Sequence, residues 1–208
     1  MATLVLPEAE FSLEAVGLDV DGVLRDTGYH IYEASCKTIA ELGGVPPSYE
    51  EFITSQGGDL VTYYAYCGVS RSKEEIYAVY DKVVPFDDVD DFMTGLVSRG
   101  VKLFVVSSHP RENLRLWFLE HKLHDHLLDF QGGSRDKPLH IQEACQRLEV
   151  NPARACYVGD WGLDMKAAIA AGALPIGITR FYNTELILLQ AGAKCVVRHL
   201  SDLAGMIH

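Results

Sequence analysis

The sequence lacks the features on which several large classes of protein depend. Its five cysteines are scattered, with no CxxC pair and no histidine at metal-ligand spacing. No apolar run approaches the roughly 20 residues of a membrane helix. The first thirty residues contain several acidic side chains and lack the basic start and long apolar stretch of a signal peptide. These absences argue against a disulfide framework, a cysteine-based metal site and a membrane protein, and they predict a cytoplasmic protein with reduced cysteines.

Positive charge is also in short supply. The 208 residues include 18 lysines and arginines against 29 aspartates and glutamates, which gives a formal net charge of -11. Such a chain has no overall basic field to attract nucleic acid or an anionic membrane surface. An anionic substrate would therefore have to be held by a few local positive groups. The length suits one domain with an insertion, or two unequal domains.

Short apolar runs that end in Gly, Asp or Ser alternate with stretches of helical periodicity. This alternation is typical of an α/β fold, with a parallel sheet and helices on its faces. The predicted strands are Ala15–Val20, Val101–Val106, Ala155–Val158, Leu174–Ile178 and Lys194–Val197, with a shorter one at Leu128–Phe130. The clearest predicted helices are Val89–Arg99, Arg111–His121, Pro138–Leu148 and Leu163–Ala171.

One interval, from Tyr29 to Val84, interrupts the alternation. It contains helical patterns and several tyrosines but no convincing buried strand, and turn signals such as Gln56-Gly57-Gly58 divide it into about four short helices. We therefore predict an inserted helical subdomain over residues 28–84. The remaining segments, 1–27 and 85–208, would form the sheet domain.

Two aspartates follow the first predicted strand, in the run Leu18-Asp19-Val20-Asp21-Gly22. Carboxylates at positions i and i+2 of an extended segment point to the same side, so these two can share a site. Two carboxylates so close together do not both ionise readily unless a cation lies between them or one of them keeps a proton. A pair of this kind suits a nucleophile beside a general acid. Gly22 allows a tight turn at the carboxyl end of the strand, where open α/β sheets bind ligands. An acidic turn without function is the alternative for this pair taken alone.

Three further polar groups follow later strands. Ser107 and Ser108 end one strand with hydroxyls that can donate to a phosphate oxygen, and Asp160 and Asp164 lie in the loop after another. Acidic oxygens are the ligands that Mg²⁺ takes, usually with water and a substrate phosphate. Lys137, at a predicted helix start, adds a positive charge that can neutralise a phosphoryl group. Alone, Ser107 also fits a helix N-cap and Lys137 a solvated lysine, whereas their joint occurrence favours a phosphate and metal site.

With these motifs in this order, the sequence resembles the haloacid dehalogenase superfamily. The resemblance is to its branch of phosphoglycolate-phosphatase-like and β-phosphoglucomutase-like enzymes with a small helical cap, and it extends from about Ala15 to the C-terminal region. It implies a Rossmann-like core with helices on both faces and a mobile cap near residues 28–84. It also implies a phosphatase that acts on a small-molecule phosphate ester, such as a phosphoglycolate-like acid or a sugar phosphate.

The resemblance further implies a role for each motif residue. Asp19 matches the nucleophile, and Asp21 matches the acid/base, with its backbone carbonyl as a magnesium ligand. The implied catalytic residues are Asp19, Asp21, Lys137 and Ser107. The implied phosphate-binding residues are Ser107, Ser108, Lys137 and Gly22. The implied ligands of Mg²⁺ are Asp19, Asp21, Asp160 and Asp164.

Two positions depart from the family pattern, and several alternatives stay open. Trp161 stands where the family commonly has Ser or Thr, and it could be either a core aromatic or a contact to the substrate. Val23 stands where the family frequently has Thr. Retention of Asp21 argues against dehalogenases and phosphonatases, which differ there. The main alternative is a phosphomutase, which also uses both aspartates, and His30 faintly resembles a residue of the mutase-like members. The other alternative is a non-catalytic binding protein of the same fold. Whether the chain is a monomer or a homodimer is left open.

Overall fold

The computed structural model describes residues 2–55, 65, 67–70, 83–180 and 184–208. The chain forms two compact units, one of Met1–Arg25 with Pro85–His208 and the other of Asp26–Val84. Their assignment as catalytic core and cap is a proposal, taken up below. None of the helices in the described ranges combines the length and the apolar composition that a membrane span requires.

The larger unit is built on a parallel sheet. The strands, in chain order, are β1 (Ala2–Leu6), β2 (Ala9–Leu13), β3 (Ala15–Leu18), β4 (Lys102–Val106), β5 (Asp129–Gln131), β6 (Ala155–Gly159), β7 (Leu174–Ile178) and β8 (Cys195–Val197). Strands β3 to β8 form one six-stranded sheet in the order β5-β4-β3-β6-β7-β8, and every neighbouring pair is parallel. Strand β3 is therefore central, and its carboxyl end faces the same edge as those of β4 and β6. The predicted α/β fold class is confirmed.

Helices follow most of the strands. They are α1 (Tyr29–Glu41), α2 (Tyr49–Ser55), α3 (Val89–Ser98), α4 (Arg111–Glu120), α5 (Lys137–Arg147), α6 (Gly162–Ala171), α7 (Glu185–Gln190) and α8 (Leu200–Gly205). The start of α5 is capped by the Asp136 carboxylate, which accepts from the Leu139 amide at 3.1 Å. The end of α6 is closed by Gly172 in the left-handed conformation, with φ of 82°. The four helices predicted most clearly are present to within one residue at each end.

Alternate side chains of the buried strands build two cores, one on each face of the sheet. On one face, Val16 and Leu18 of β3 belong to a cluster with apolar residues of α3, α4 and α8. On the other, Ala15 belongs to a cluster with Phe104, Tyr157 and residues of α5 and α6. Because side chains alternate along a strand, one apolar run supplies both cores. The predicted placement of helices on both faces follows from this pattern.

The N-terminal segment differs from the sequence expectation, which assigned no structure before Ala15. Strands β1 and β2 form an antiparallel hairpin, and the last residues of the chain pair with β1. Thr3 and His208 exchange two backbone hydrogen bonds, at 2.8 and 2.9 Å. Strand β3 also ends at Leu18 and not at Val20, because the chain turns immediately afterwards.

The described part of the smaller unit is helical, as expected. Tyr32 of α1 packs against Phe52 of α2, with ring centroids 5.5 Å apart. The Tyr32 hydroxyl donates to the carbonyl of Pro47 at 3.2 Å, which ties α1 to the segment before α2. The predicted turn at Gln56-Gly57-Gly58 and the side chain of His30 lie outside the described residues.

Candidate active site

Asp19 lies directly after the central strand β3 and is buried. Its amide donates to the carbonyl of Val158 at 3.0 Å, which continues the pairing of β3 with β6 by one residue. One carboxylate oxygen, Oδ2, accepts a hydrogen bond from Lys137 Nζ at 2.8 Å. The other oxygen, Oδ1, is buried and has no hydrogen-bond partner among the described residues. A buried carboxylate oxygen is unfavourable unless a further group contacts it.

Lys137 joins two carboxylates. It is the first residue of α5, and its Nζ donates to Asp164 Oδ1 at 2.6 Å as well as to Asp19. Burial by itself lowers the pKa of Lys137, but the charges of Asp164 and Asp19 outweigh it and raise the pKa well above its ordinary value. The ammonium group therefore stays charged, as binding of a phosphoryl group requires.

The loop from β6 to α6 presents Asp160 and Asp164, both buried. Asp164 Oδ2 accepts from the amide of Trp161 at 3.0 Å, so this carboxylate both caps α6 and contacts Lys137. Trp161 enters the site through its backbone, and its side chain is half-buried. The role of the indole ring stays open.

Asp19, Asp160 and Asp164 form a buried acidic triad, in which one oxygen from each lies within 4.8 Å of the others. Burial, opposed by the charge of Lys137 and assisted by that of Asp164, raises the pKa of Asp19 to about 6. Burial, assisted by Asp164 and Asp19, raises the pKa of Asp160 well above its ordinary value. Lys137 contacts two of the three carboxylates, and one positive charge does not balance three negative ones. The cluster offers only oxygen ligands, which suits Mg²⁺.

Gly22 makes room for this triad. Its φ is 73°, in the left-handed region, and a Cβ atom at this position would lie 2.1 Å from Asp160 Oδ2. Any other residue here would be strained and would also displace the Asp160 carboxylate. The sequence prediction gave Gly22 a turn-forming and phosphate-binding role; the structure places it against a predicted metal ligand.

Asp21 has partners of its own. Arg25 Nε donates to Asp21 Oδ1 at 2.7 Å, and His109 Nδ1 lies 3.4 Å from Asp21 Oδ2. Burial by itself raises the pKa of Asp21, but the charges of Arg25 and His109 outweigh it and hold the pKa well below the ordinary value. Asp19 and Asp21 are close enough for their charges to interact, although each carboxylate has a separate set of partners.

Ser107 follows the end of β4, next to the central strand, and is buried. Its hydroxyl accepts from the amide of His109 at 3.2 Å, and its amide donates to the carbonyl of Gln131 at 2.9 Å. Ser108 is exposed. The phosphate-binding roles of both serines stay predictions.

Sequence reasoning did not identify Arg25 and His109 as parts of the site. Arg25 lies four residues after Asp21, and His109 lies two residues after Ser107. Both are fully buried against Asp21, which only the fold reveals, because a single arginine or histidine after a motif is usually solvated. In the sequence, the only indication of this contact was the position of Arg25, four residues after Asp21.

Comparisons with known proteins give consistent matches. The model of the family described as haloacid dehalogenase-like hydrolase matches residues 17–178. A relative named "Putative pyrophosphatase PpaX", from Clostridium perfringens, is 28% identical over 80% of this chain and 84% of its own length. Phosphoglycolate phosphatase of Yersinia pestis is 23% identical over 94% of each chain. The solved structure of a "putative beta-phosphoglucomutase" from Thermotoga maritima superposes with a TM-score of 0.75 and 21% identity, covering 93% of this chain and 97% of the other.

Proposed function

The chain belongs to the haloacid dehalogenase-like hydrolase family, and we propose that it is a magnesium-dependent phosphatase that acts through an aspartyl-phosphate on Asp19. The family match confirms the predicted superfamily and hydrolase class, and the names of the curated relatives agree with a phosphatase. The observation that supports the mechanism most is the position of Asp19. It is buried at the centre of the sheet edge and contacts Lys137, and its second oxygen has no hydrogen-bond partner in the part of the chain that the structure describes.

The first half of the proposed reaction transfers the phosphoryl group to the enzyme. An Asp19 carboxylate oxygen attacks phosphorus in line with the leaving oxygen, and the bond between phosphorus and that oxygen breaks. Asp21 donates a proton to the departing alcohol. Lys137 and the Ser107 hydroxyl contact the phosphoryl oxygens and offset their charge, which is the main source of stabilisation in phosphoryl transfer.

The second half releases inorganic phosphate. Asp21, now ionised, takes a proton from a water molecule that attacks the phosphorus of the aspartyl-phosphate, and the Asp19 carboxylate is regenerated. The same residue thus acts as acid and then as base, so Asp21 ends the cycle protonated, as it began, and the protein neither gains nor loses a proton. Arg25 and His109 are placed to favour the ionised form that the second half needs.

The residues of the acidic triad are those that would hold the metal. We propose the side chains of Asp19, Asp160 and Asp164 and the backbone carbonyl of Asp21 as protein ligands of Mg²⁺. When bound, Mg²⁺ supplies positive charge that offsets the charge of the phosphoryl oxygens and of the crowded carboxylates. Two observations are consistent with this assignment: Asp160 is buried, and Asp19 Oδ1 has no hydrogen-bond partner among the residues that the structure describes.

We further propose a small phosphate ester as the substrate, with phosphorylated acids and sugars as first candidates. One curated relative is named for phosphoglycolate and another for pyrophosphate, both of which are small phosphate compounds. The division into a Rossmann-like catalytic core and a helical cap over residues 28–84 belongs to the same proposal. The cytoplasmic location belongs to the same proposal. So does the absence of nucleic-acid and membrane partners, which rests on the acidic charge of -11.

The direct test is phosphate release from a panel of small phosphate monoesters and anhydrides, with Mg²⁺ and with a chelator. Asp19→Asn serves as the blank, and Asp125→Asn, at a carboxylate with 97% side-chain exposure, serves as the matched control. We expect Mg²⁺-dependent release that Asp19→Asn abolishes and Asp125→Asn retains. Release that survives in Asp19→Asn would refute the mechanism, and isomerisation of a sugar phosphate without release would favour a phosphomutase.

A further inference from the structure

We propose that Arg25, together with His109, is a positioning residue that fixes the orientation of the Asp21 carboxyl group toward the leaving group and the attacking water. This inference rests on the proposed function, since it assigns partners to the proposed acid/base residue. Neither residue belongs to the motifs that identify the family in this sequence.

Arg25 is fully buried, and its Nε donates to Asp21 Oδ1 at 2.7 Å. Its guanidinium also lies over the ring of Trp117, 5.5 Å from the ring centroid. A buried arginine is unfavourable unless its charge is paired, and removal of one partner leaves the other charge buried. Arg25 and Asp21 therefore hold each other in one arrangement, and the flat guanidinium between a carboxylate and an aromatic ring has little freedom to turn.

The backbone fixes the spacing of this pair. The carbonyl of Val20 accepts hydrogen bonds from the amides of Val23, Leu24 and Arg25, at 3.2, 2.8 and 3.1 Å. The amide of Gly22 donates back to the carbonyl of Arg25 at 3.1 Å. The turn after β3 is thus closed on itself, and it places residue 25 beside residue 21.

His109 approaches the second oxygen of Asp21 from another element. Its Nδ1 lies 3.4 Å from Asp21 Oδ2, and its backbone is fixed by bonds from its amide to the Ser107 hydroxyl at 3.2 Å and from the Gly133 amide to its carbonyl at 2.6 Å. Both carboxylate oxygens of Asp21 thus face basic groups on separate loops. Such an arrangement restricts rotation of the carboxyl group, and a small misplacement of a catalytic group costs up to about 100-fold in rate.

The test uses the dependence of kcat/KM on the leaving group, because kcat/KM reports the steps up to departure of the alcohol. An alkyl phosphate needs a proton from Asp21, whereas p-nitrophenyl phosphate has a leaving group that needs little protonation. For Arg25→Met we expect a loss of about 10- to 100-fold on the alkyl ester and at most a few-fold loss on the aryl ester, since general acid catalysis contributes about 100- to 10,000-fold. The variant also lacks a charge that lowers the pKa of Asp21, which by itself would favour the protonated acid, so the loss reports the orientation of Asp21 and not its protonation. Asp21→Asn should show the same pattern more strongly, and Arg25→Lys should recover part of the loss.

Arg180→Met is the matched control. Arg180 also has a side chain that is only 6% exposed, and its ion pair at 2.7 Å is with Asp88, whereas the ion pairs of Asp21 in the described ranges are with Arg25 and His109. Its removal should not change the ratio of the two kcat/KM values. If both Arg25 variants fail to fold in circular dichroism, His109→Gln tests the same positioning through the other oxygen and should show the same dependence on the leaving group.

The outcomes separate this inference from the proposed function. Wild-type protein without Asp19-dependent phosphate release would refute both. Active wild-type protein whose folded Arg25 variants lose activity equally on both esters, or lose none, would overturn the positioning role and leave the phosphatase assignment intact. An Asp21→Asn variant with no dependence on the leaving group would also overturn it, because Arg25 is proposed to act through Asp21.

Discussion

At Asp19, burial and neighbouring charges act in opposite directions. Loss of solvation and the negative charge of Asp164 favour the protonated carboxyl, whereas Lys137 favours the carboxylate. Burial dominates and raises the pKa to about 6. The ionised form of the proposed nucleophile is therefore unfavourable in the folded protein without an additional cation, and a metal ion bound at the triad would relieve this.

This balance predicts how stability depends on pH in metal-free protein. The pKa of Asp19 is about 6 in the folded state against an ordinary 3.8, so the folded state binds more protons between these values and loses stability as pH rises through them. The Asp19→Asn variant has no carboxyl group at this position, so its stability should not fall with pH for this reason. In urea unfolding with a chelator, we expect the variant and wild type to be similar near pH 4 and the variant to be more stable by about 3 kcal/mol near pH 8, from about two pKa units of about 1.4 kcal/mol each. An equal difference at both pH values would contradict the assignment.

Gly22 supports a second prediction at the scale of single residues. Gly22→Ala adds a Cβ that would lie 2.1 Å from Asp160 Oδ2, at a residue with φ of 73°. Gly133→Ala is the matched control, because Gly133 has φ of 72° and nothing within 4 Å of the added atom. Both should lose more than about 0.5 kcal/mol of stability from the backbone alone. In a titration of phosphatase activity with Mg²⁺, the half-saturating concentration should rise only in Gly22→Ala; a rise in both would assign the effect to backbone strain.

At the scale of elements, local patterns predicted some features and not others. The buried runs of β3, β4 and β6 were predictable because their apolar side chains occupy both faces of the sheet, and Gly100 and Gly172 marked helix ends. The hairpin β1–β2 was not predictable, because β1 is stabilised by residues just over two hundred positions away. The same limit applies in the site. Asp19 and Lys137 were recognisable from their motifs, whereas the contacts of Arg25 and His109 depend on how separate loops meet.

The hairpin should nevertheless contribute substantially to stability. Leu4 of β1 is fully buried in the main core, opposite Ile207 at the end of the chain. Leu4→Ala should lower the free energy of unfolding by about 2–5 kcal/mol, as is usual for a buried leucine. Leu128→Ala, at a leucine that is 64% exposed, should change it by less than about 0.5 kcal/mol. Denaturant unfolding measures both, and similar small effects would show that the hairpin is not part of the cooperative core.

For the whole molecule, the formal net charge of -11 includes three carboxylates that lie together in the buried acidic triad. A cation bound only by the folded state stabilises it by mass action. We expect Mg²⁺ at about 100 times its dissociation constant to add about 2.7 kcal/mol to the free energy of unfolding and to raise Tm accordingly. Asp160→Asn should abolish this response and Asp125→Asn should keep it. A response that is the same in wild type and Asp160→Asn would place the ion elsewhere.

The most direct test of the account is to look for the phosphoryl group on Asp19 itself. Wild-type protein is mixed with Mg²⁺ and excess substrate, quenched in acid during turnover, digested and analysed by mass spectrometry. The account predicts that a fraction of the peptide containing Asp19 gains the mass of one phosphoryl group, that the gain is absent in Asp19→Asn, and that reduction with borohydride locates it at residue 19. Turnover without any phosphorylated Asp19 peptide, or phosphorylation at another residue, would refute the assignment of Asp19 as the nucleophile.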